Sequence, residues 1–470
     1  MQLRKALFVL TLALAVSMPA YAKTENVKIS GSIDMYGFSR ANLDLQKSND
    51  SGAADALAAS PTVQGSSHGG SASHRSEGDS YFMGITQLEV DADLSDNVST
   101  VVNLINQRDW NADLFDATTA NTTQEFDVML DLAYVKLKEA FYAPLTLTIG
   151  RQDLVFGRGF ILGWNPQDPS ATIQADEFTQ IQSFDAIRGT LDFNPWTIDL
   201  VYSKQNENSQ DPEDDRDLYF ANVNYKFSEH NAVAEGYFFA DLDKATTAGA
   251  SGTKDNDTYT MGGRFQYDPI SQATLGAELA YQLGTYYGSA VLAGRDRHAW
   301  AMDIFGEYRI ENPYKPMVGL EYVYLSGEEV NGPSTGGWQM WNGAWRLPVY
   351  GWIHDYLEVY YETGMVGDYA SGQNQQHISL YGSMNPMEDV KLSANYFYFM
   401  SVAPVHPSGL PGTTSLSKDI GHEIDTAMTY SYTEDVTFSL MANWFLPGAF
   451  YSSGFNTTAS EYISEVKVTF

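Results

Sequence analysis

PLTLTIGRQDLVFGRGFILGWNPQDPSATIQADEFTQIQSFDAIRGTLDFNPW, residues 144–196, is the stretch that decides the fold. Leu145, Leu147 and Ile149 alternate with Thr146, Thr148 and Gly150, the period of two that marks a half-buried strand. A connection rich in Gly, Pro and Asp follows. A second alternating run then sets Ile187, Gly189, Leu191 and Phe193 against Arg188, Thr190 and Asp192, and Asn194-Pro195-Trp196 turns the chain. One face is therefore apolar and the other polar. In a sandwich the apolar face is a core, whereas in an outer-membrane barrel it meets lipid and the polar face lines a lumen.

The amino terminus favours the barrel. Arg4 and Lys5 precede an apolar run from Ala6 to Val16, and Ala20-Tyr21-Ala22 has the small-x-small form of a cleavage site. Residues 1–22 are expected to be a secretory signal and 23–470 the mature barrel. No later run reaches the ~18 apolar residues of a membrane helix. The net charge of −32, taken to −34 by loss of Arg4 and Lys5, argues against a nucleic-acid partner. With no cysteine, disulfides, thiolate metal sites and CxxCH haem attachment are excluded, and the chain is expected to hold neither cofactor nor metal.

Alternating segments continue to the last residue. Short connections such as Leu94–Asn97, Ser228–Asn231, Asp268–Ser271, Asn385–Glu388 and Tyr432–Asp435 take turns with long polar ones, as periplasmic turns and extracellular loops do. This gives an all-β, antiparallel transmembrane barrel of about eighteen strands. They are expected near 27–44, 80–94, 98–109, 125–138, 144–154, 180–193, 196–206, 216–227, 231–241, 257–268, 272–285, 297–310, 315–326, 376–385, 389–401, 420–432, 435–446 and 460–470. A lipid-facing charge at mid-depth costs ~2–4 kcal/mol, so charges in the alternating runs are expected to face inward. Residues 46–79, rich in Ser, Gly and Ala, are expected to be a mobile extracellular loop. Phe470, Val468, Val466 and Tyr462 share one face of the last strand, the form of an insertion signal for the barrel-assembly machinery. Lipid and lipopolysaccharide are the other expected partners, and the acidic loops suit cation bridges to the latter.

Gly150-Arg151-Gln152-Asp153-Leu154, Phe156-Gly157 and the later Phe184-Asp185-Ala186-Ile187-Arg188 resemble the hairpin of the alginate-export family of outer-membrane porins. The resemblance implies lumenal arginines and carboxylates that guide an anionic polysaccharide outward, with Arg151, Asp185 and Arg188 at the matching positions. Arg151 shares the phase of Ile149, which requires a bulge or a rim position. The expected lining carries both signs: Arg188, Arg264, Arg309, Lys226 and Lys391 against Glu278, Glu307, Glu321, Asp199, Glu423 and Asp425. That mixture departs from a basic polyuronate tunnel.

Two further features bear on function. His298, His377 and His422 each open a descending strand at the outer rim, where a hydrolase would place a catalytic histidine, but rim polarity explains the same residues without catalysis. The connection 326–375 carries Trp338, Trp341, Trp345 and Trp352 with several tyrosines, far more than a hairpin requires. Its rings are placed to pack against sugars, or it folds inward and narrows the pore, or it stands above the rim as an extra hairpin, with strand character from Tyr356 to Gly364 and its aromatics packed on one another. The expected function is a passive channel for small polar or saccharide solutes, with polysaccharide export within its range. A rim-active hydrolase and a non-transporting sheath or surface-binding barrel are the alternatives.

Overall fold

The structure is a computed structural model. It describes residues 26–43, 45, 79–110, 128–165, 173, 175–206, 215–244, 256–286, 295–328, 337–347, 349–357, 373–404, 417–451 and 456–470. The expected signal sequence, residues 46–78 of the expected loop, His68, His74, His406, Asp211, Glu213, Asp214, Asp255 and the Tyr360 and Tyr361 pair lie outside the described residues.

Eighteen strands form one antiparallel sheet. They are β1 (Asn26–Ala41), β2 (Asp79–Ser95), β3 (Val98–Asp109), β4 (Met129–Lys138), β5 (Leu145–Gln152), β6 (Phe184–Asp192), β7 (Trp196–Asn206), β8 (Arg216–Phe227) and β9 (Ala232–Asp243). They continue as β10 (Thr258–Ile270), β11 (Ala273–Tyr286), β12 (Arg295–Arg309), β13 (Met317–Leu325), β14 (Gln375–Met387), β15 (Val390–Ser401), β16 (Asp419–Ser431), β17 (Val436–Pro447) and β18 (Ala459–Thr469). Each pairs with its chain neighbours, and β1 pairs with β18 from Ser32↔Thr469 to Ala41↔Ser460, closing the ring. The number and order of strands agree with the alternation in the sequence. Closure leaves no free sheet edge, which hydrocarbon requires.

Two expected turns are displaced. The chain turns after Ile270 and Met387, and Pro269 and Pro386 lie inside β10 and β14 at register shifts. Proline donates no ladder bond, so it is accommodated at a bulge. β6 starts at Phe184 rather than near residue 180, because Ser183 turns to bond the carbonyl and carboxylate of Asp131.

Ile29, Leu279, Leu320, Leu380 and Leu440 are exposed on the outward face, the surface that meets lipid. Aromatic pairs flank the belt, with Trp196 and Tyr225 towards the turns and Trp300 on Tyr324 towards the loops. The apolar core lies inside the ring, in its loop-side half. There the described residues of the β5–β6 loop (153–165, 173 and 175–183) and of the β13–β14 loop (326–328, 337–347, 349–357 and 373–374) turn inward onto Phe184, Phe220, Phe239, Phe397, Phe399 and Phe445. A second cluster joins Ile173, Phe178 and Ile181 of the β5–β6 loop to Tyr36, Phe38, Met83 and Ile105.

Candidate functional site in the barrel lumen

The β13–β14 loop enters the lumen. Trp341 and Trp345 are each 2% exposed. Trp345 donates through Nε1 to Asp241 of β9 at 2.9 Å, and Asn342 exchanges hydrogen bonds with Gln282 of β11. Trp338 stacks on Tyr286 at 3.7 Å, and Trp352 on Phe178 at 4.7 Å. All four tryptophans fasten loop to wall or loop to loop, so their faces are occupied by protein. Where strand character was expected from Tyr356, the chain forms a six-residue helix, α1 (Trp352–Leu357), and residues 358–364 lie outside the described residues.

Carboxylates of β16 hold the start of α1. The first N–H groups of a helix have no partner within it. Here Glu423, fully buried, accepts from Ile353 N at 2.7 Å and His354 N at 2.8 Å, and Asp425 accepts from the backbone of Trp352. His354 stacks on Phe399 at 3.8 Å. Burial holds its imidazole well below the usual 6.5, and His377 and Arg346 push the same way. Burial likewise raises the Tyr350 hydroxyl.

The β5–β6 loop brings Arg158 across the bore. Its guanidinium meets Asp303 of β12 at 2.8 Å and Glu321 of β13 at 2.7 Å, and lies over Phe305. Burial opposes the charge, but the two carboxylates outweigh it and raise the group above its ordinary value. Gly157 and Gly159 flank it in left-handed backbone. A Cβ on Gly159 would stand 2.7 Å from Leu347, whose N–H bonds the Gly159 carbonyl. The glycines thus permit both the turn and the contact between loops.

Arg264, Glu278, Glu321 and Asp425 face the lumen. Arg264 pairs with Glu235 at 2.5 Å, and Glu278 accepts from Tyr237 at 2.8 Å. Around Arg158, two guanidinium groups thus stand among four carboxylates: Glu235, Glu278, Asp303 and Glu321. Arg188 faces inward and pairs with Asp199 at 2.8 Å. Arg309, beside Glu307, shares a hollow of about 410 Å³ with Lys226 at the turn-side mouth, and Lys391 is exposed on that mouth from β15.

Arg151 and Asp185 require a correction. The β4–β5 and β5–β6 registers run without a bulge through Ala133↔Arg151↔Asp185, so both keep the phase of the outward residues Ile149 and Ile187. They face away from the lumen near the loop-side rim, and of the three motif positions only Arg188 points inward. His298 and His422 also face outward, bonded to Tyr281 and Tyr396, while His377 is buried inside against Tyr350. Arg40, unremarked in the sequence, ties Glu177 of the β5–β6 loop to Glu461 of β18 and reaches the Tyr356 ring. Arg158 lies outside the alternating runs, and its one mark in the sequence is the Gly157-Arg158-Gly159 triplet in a connection longer than a hairpin needs. Among the described residues no group of three or more His, Asp or Glu side chains has the spacing of a metal site.

A closed eighteen-stranded antiparallel barrel with loops folded into its bore is an outer-membrane barrel of the porin type. Three solved structures from Pseudomonas aeruginosa share the fold. OccK2 (OpdF) in complex with glucuronate is 13% identical with a TM-score of 0.52, covering 95% of this chain and 98% of that one. OccK5 (OpdH) is 12% identical with a TM-score of 0.51 over 95% and 98%. OpdK with vanillate is 12% identical with a TM-score of 0.51 over 95% and 99%. No curated protein matches the chain by sequence. Residues 67–464 match the family described as alginate export, and the chain belongs to that family and to the bacterial outer membrane.

Proposed function

We propose that the protein is a passive channel for small polar solutes, saccharides included, and has no catalytic role. One observation carries this reading: two loops cross the bore, and the arginines they meet are each matched by carboxylates. A polyuronate needs a continuous cationic track. Here inward carboxylates outnumber guanidinium groups around Arg158 and would repel a polyanion within the ~8 Å screening length of physiological salt. The −32 net charge also lowers the local concentration of anions at the mouths. Selectivity is accordingly weak and tilted towards cations. Glucuronate and vanillate, named with two of the similar structures, are single-ring solutes, and that is the size class proposed here. Assembly by the barrel-insertion machinery and contact with lipopolysaccharide belong to the same proposal.

Reversal potentials in planar bilayers under a salt gradient test the reading. An ion current without added substrate, with weak cation preference, is expected. Strong anion selectivity, lost on changing Arg188 and Arg264, would restore the polyuronate exporter. Absence of current would point to a sheath.

A further inference from the structure

We infer that Asp303 and Glu321, with the Phe305 ring beside them, form a seat for guanidinium-bearing solutes, which Arg158 occupies as a tethered stand-in until such a solute displaces it. The inference deepens the channel reading, on which it rests for access to the bore.

The seat stands at mid-height of the wall. Arg264 and Glu321 are the central residues of β10 and β13, and Glu278 and Asp303 lie within two residues of the centres of β11 and β12. Register joins them side by side through Arg264↔Glu278↔Asp303, with Phe305↔Glu321 on the next pair of strands. A solute crossing the bore passes this belt.

The present occupant shows what the seat takes. Arg158 Nη1 meets Asp303 at 2.8 Å, Nη2 meets Glu321 at 2.7 Å, and the guanidinium carbon lies 4.1 Å from the centre of the Phe305 ring. Two carboxylates and one aromatic face around a flat fork of donors are the means by which proteins grip a guanidinium. The Asp303 and Glu321 side chains are only 5% and 10% exposed, whereas Arg158 is 35% exposed. The arm therefore lies on the open side of the seat, where an incoming cation meets it first. Its backbone is held, because the Gly159 carbonyl accepts from Leu347 N at 2.8 Å. The swing belongs to the side chain alone.

Charge balance makes the seat selective. Four carboxylates share two guanidinium groups here, and acceptors are left over. Glu278, 5% exposed, takes the Tyr237 hydroxyl on Oε1, but no donor among the described residues reaches its Oε2 or Asp303 Oδ1. A guanidinium carries five donors, so one freed from a loop can serve Asp303 more fully than Arg158 does. Exchange of Arg158 for such a solute keeps the charge of the belt unchanged. A neutral solute that moved the arm would leave two buried carboxylates unpaired, which is strongly unfavourable. An anion would add a like charge to them.

The test is calorimetric titration of the refolded full-length barrel with L-arginine and with L-citrulline, which replaces the guanidinium by a neutral urea of the same shape. Wild type should bind arginine about tenfold more tightly than citrulline, the size of one charge-assisted contact. Arg158→Ala should bind arginine about tenfold more tightly again, because the tethered competitor is gone. Asp303→Asn combined with Glu321→Gln should erase the difference between the probes. Equal binding of both probes by wild type and by Arg158→Ala would overturn the inference, as would a preference for arginine that survives in the folded double variant. The wild-type comparison decides alone if the variants do not fold. Ion current is recorded separately: current with equal probe binding removes the seat and leaves the channel, and arginine binding without current does the reverse.

Discussion

Changing Glu423 to Ala should release the inward loop at its helical end. The carboxylate is fully buried, and both of its oxygens accept from the first turn of α1, at 2.7 and 2.8 Å. Truncation leaves two buried N–H groups without acceptors. Each costs about 1–3 kcal/mol, so docking weakens by roughly 2–6 kcal/mol. Even the lower figure multiplies the ratio of undocked to docked loop about thirtyfold. The wall itself is untouched, because the side chain points inward and the β15–β16 ladder is backbone. Single-channel recording should show visits to a larger conductance level that wild type rarely samples, while heat-resistant migration persists. Glu423→Gln keeps one acceptor oxygen and should fall between the two. A folded Glu423→Ala barrel with wild-type conductance and no added level would refute the idea that these bonds hold the loop in the bore.

Removing residues 338–352 should raise conductance outright without loss of the heat-resistant barrel, since the described residues of this stretch, Trp341 and Trp345 among them, pack inside the lumen and lie outside the wall; an unchanged current would mean that the open path lies elsewhere. Docking should also weaken in acid. Buried beside His377, Arg346 and the capping Glu423, His354 stays neutral when docked and titrates near 6.5 when released, so docking is at full strength above that pH and loses about 1.4 kcal/mol per unit below it. Conductance measured from pH 7 to 5 should rise, and His354→Phe, which preserves the stack on Phe399, should flatten the curve. Arg158→Glu removes a cation from among the four carboxylates and should deepen cation preference in reversal-potential measurements; no shift would take Arg158 off the ion path. Phe470→Ala should slow assembly yet leave the pore of assembled molecules unchanged, because the Phe470 backbone exchanges its N–H and carbonyl bonds with Gly31 whatever the side chain. Gel-shift kinetics followed by conductance would show whether the two effects separate.

The wall was legible because period-two alternation and the cost of charge in lipid act residue by residue. Arg264, Glu278 and Asp425 could be placed from their own strands alone. Arg151 and Asp185 were misplaced where a motif outweighed phase: Arg151 shares the parity of Ile149, and parity governs where no bulge intervenes. The direction of the long loop was not legible, because its tryptophans suit either outcome. What settles it are partners far away in the chain, such as Asp241 for Trp345, 104 residues distant, and Glu423 for His354, 69 residues distant. The same holds for Arg158, whose partners Asp303 and Glu321 share no local pattern with it.

The crossing loops also bear on the mechanics of the shell. An empty ring of eighteen strands resists stretching through its ladder bonds but flattens readily, since an oval keeps every bond. Here the β13–β14 loop is fastened to β9 and β11 at one end and to β16 at the other. The β5–β6 loop runs from β12 and β13, through Arg158, to β1, through Glu177. These are chords across the circle, and a ring with crossed chords cannot become oval without breaking packed contacts. Lateral pressure from the bilayer is therefore borne as compression of two aromatic clusters, and the bore keeps its section as the membrane around it changes tension.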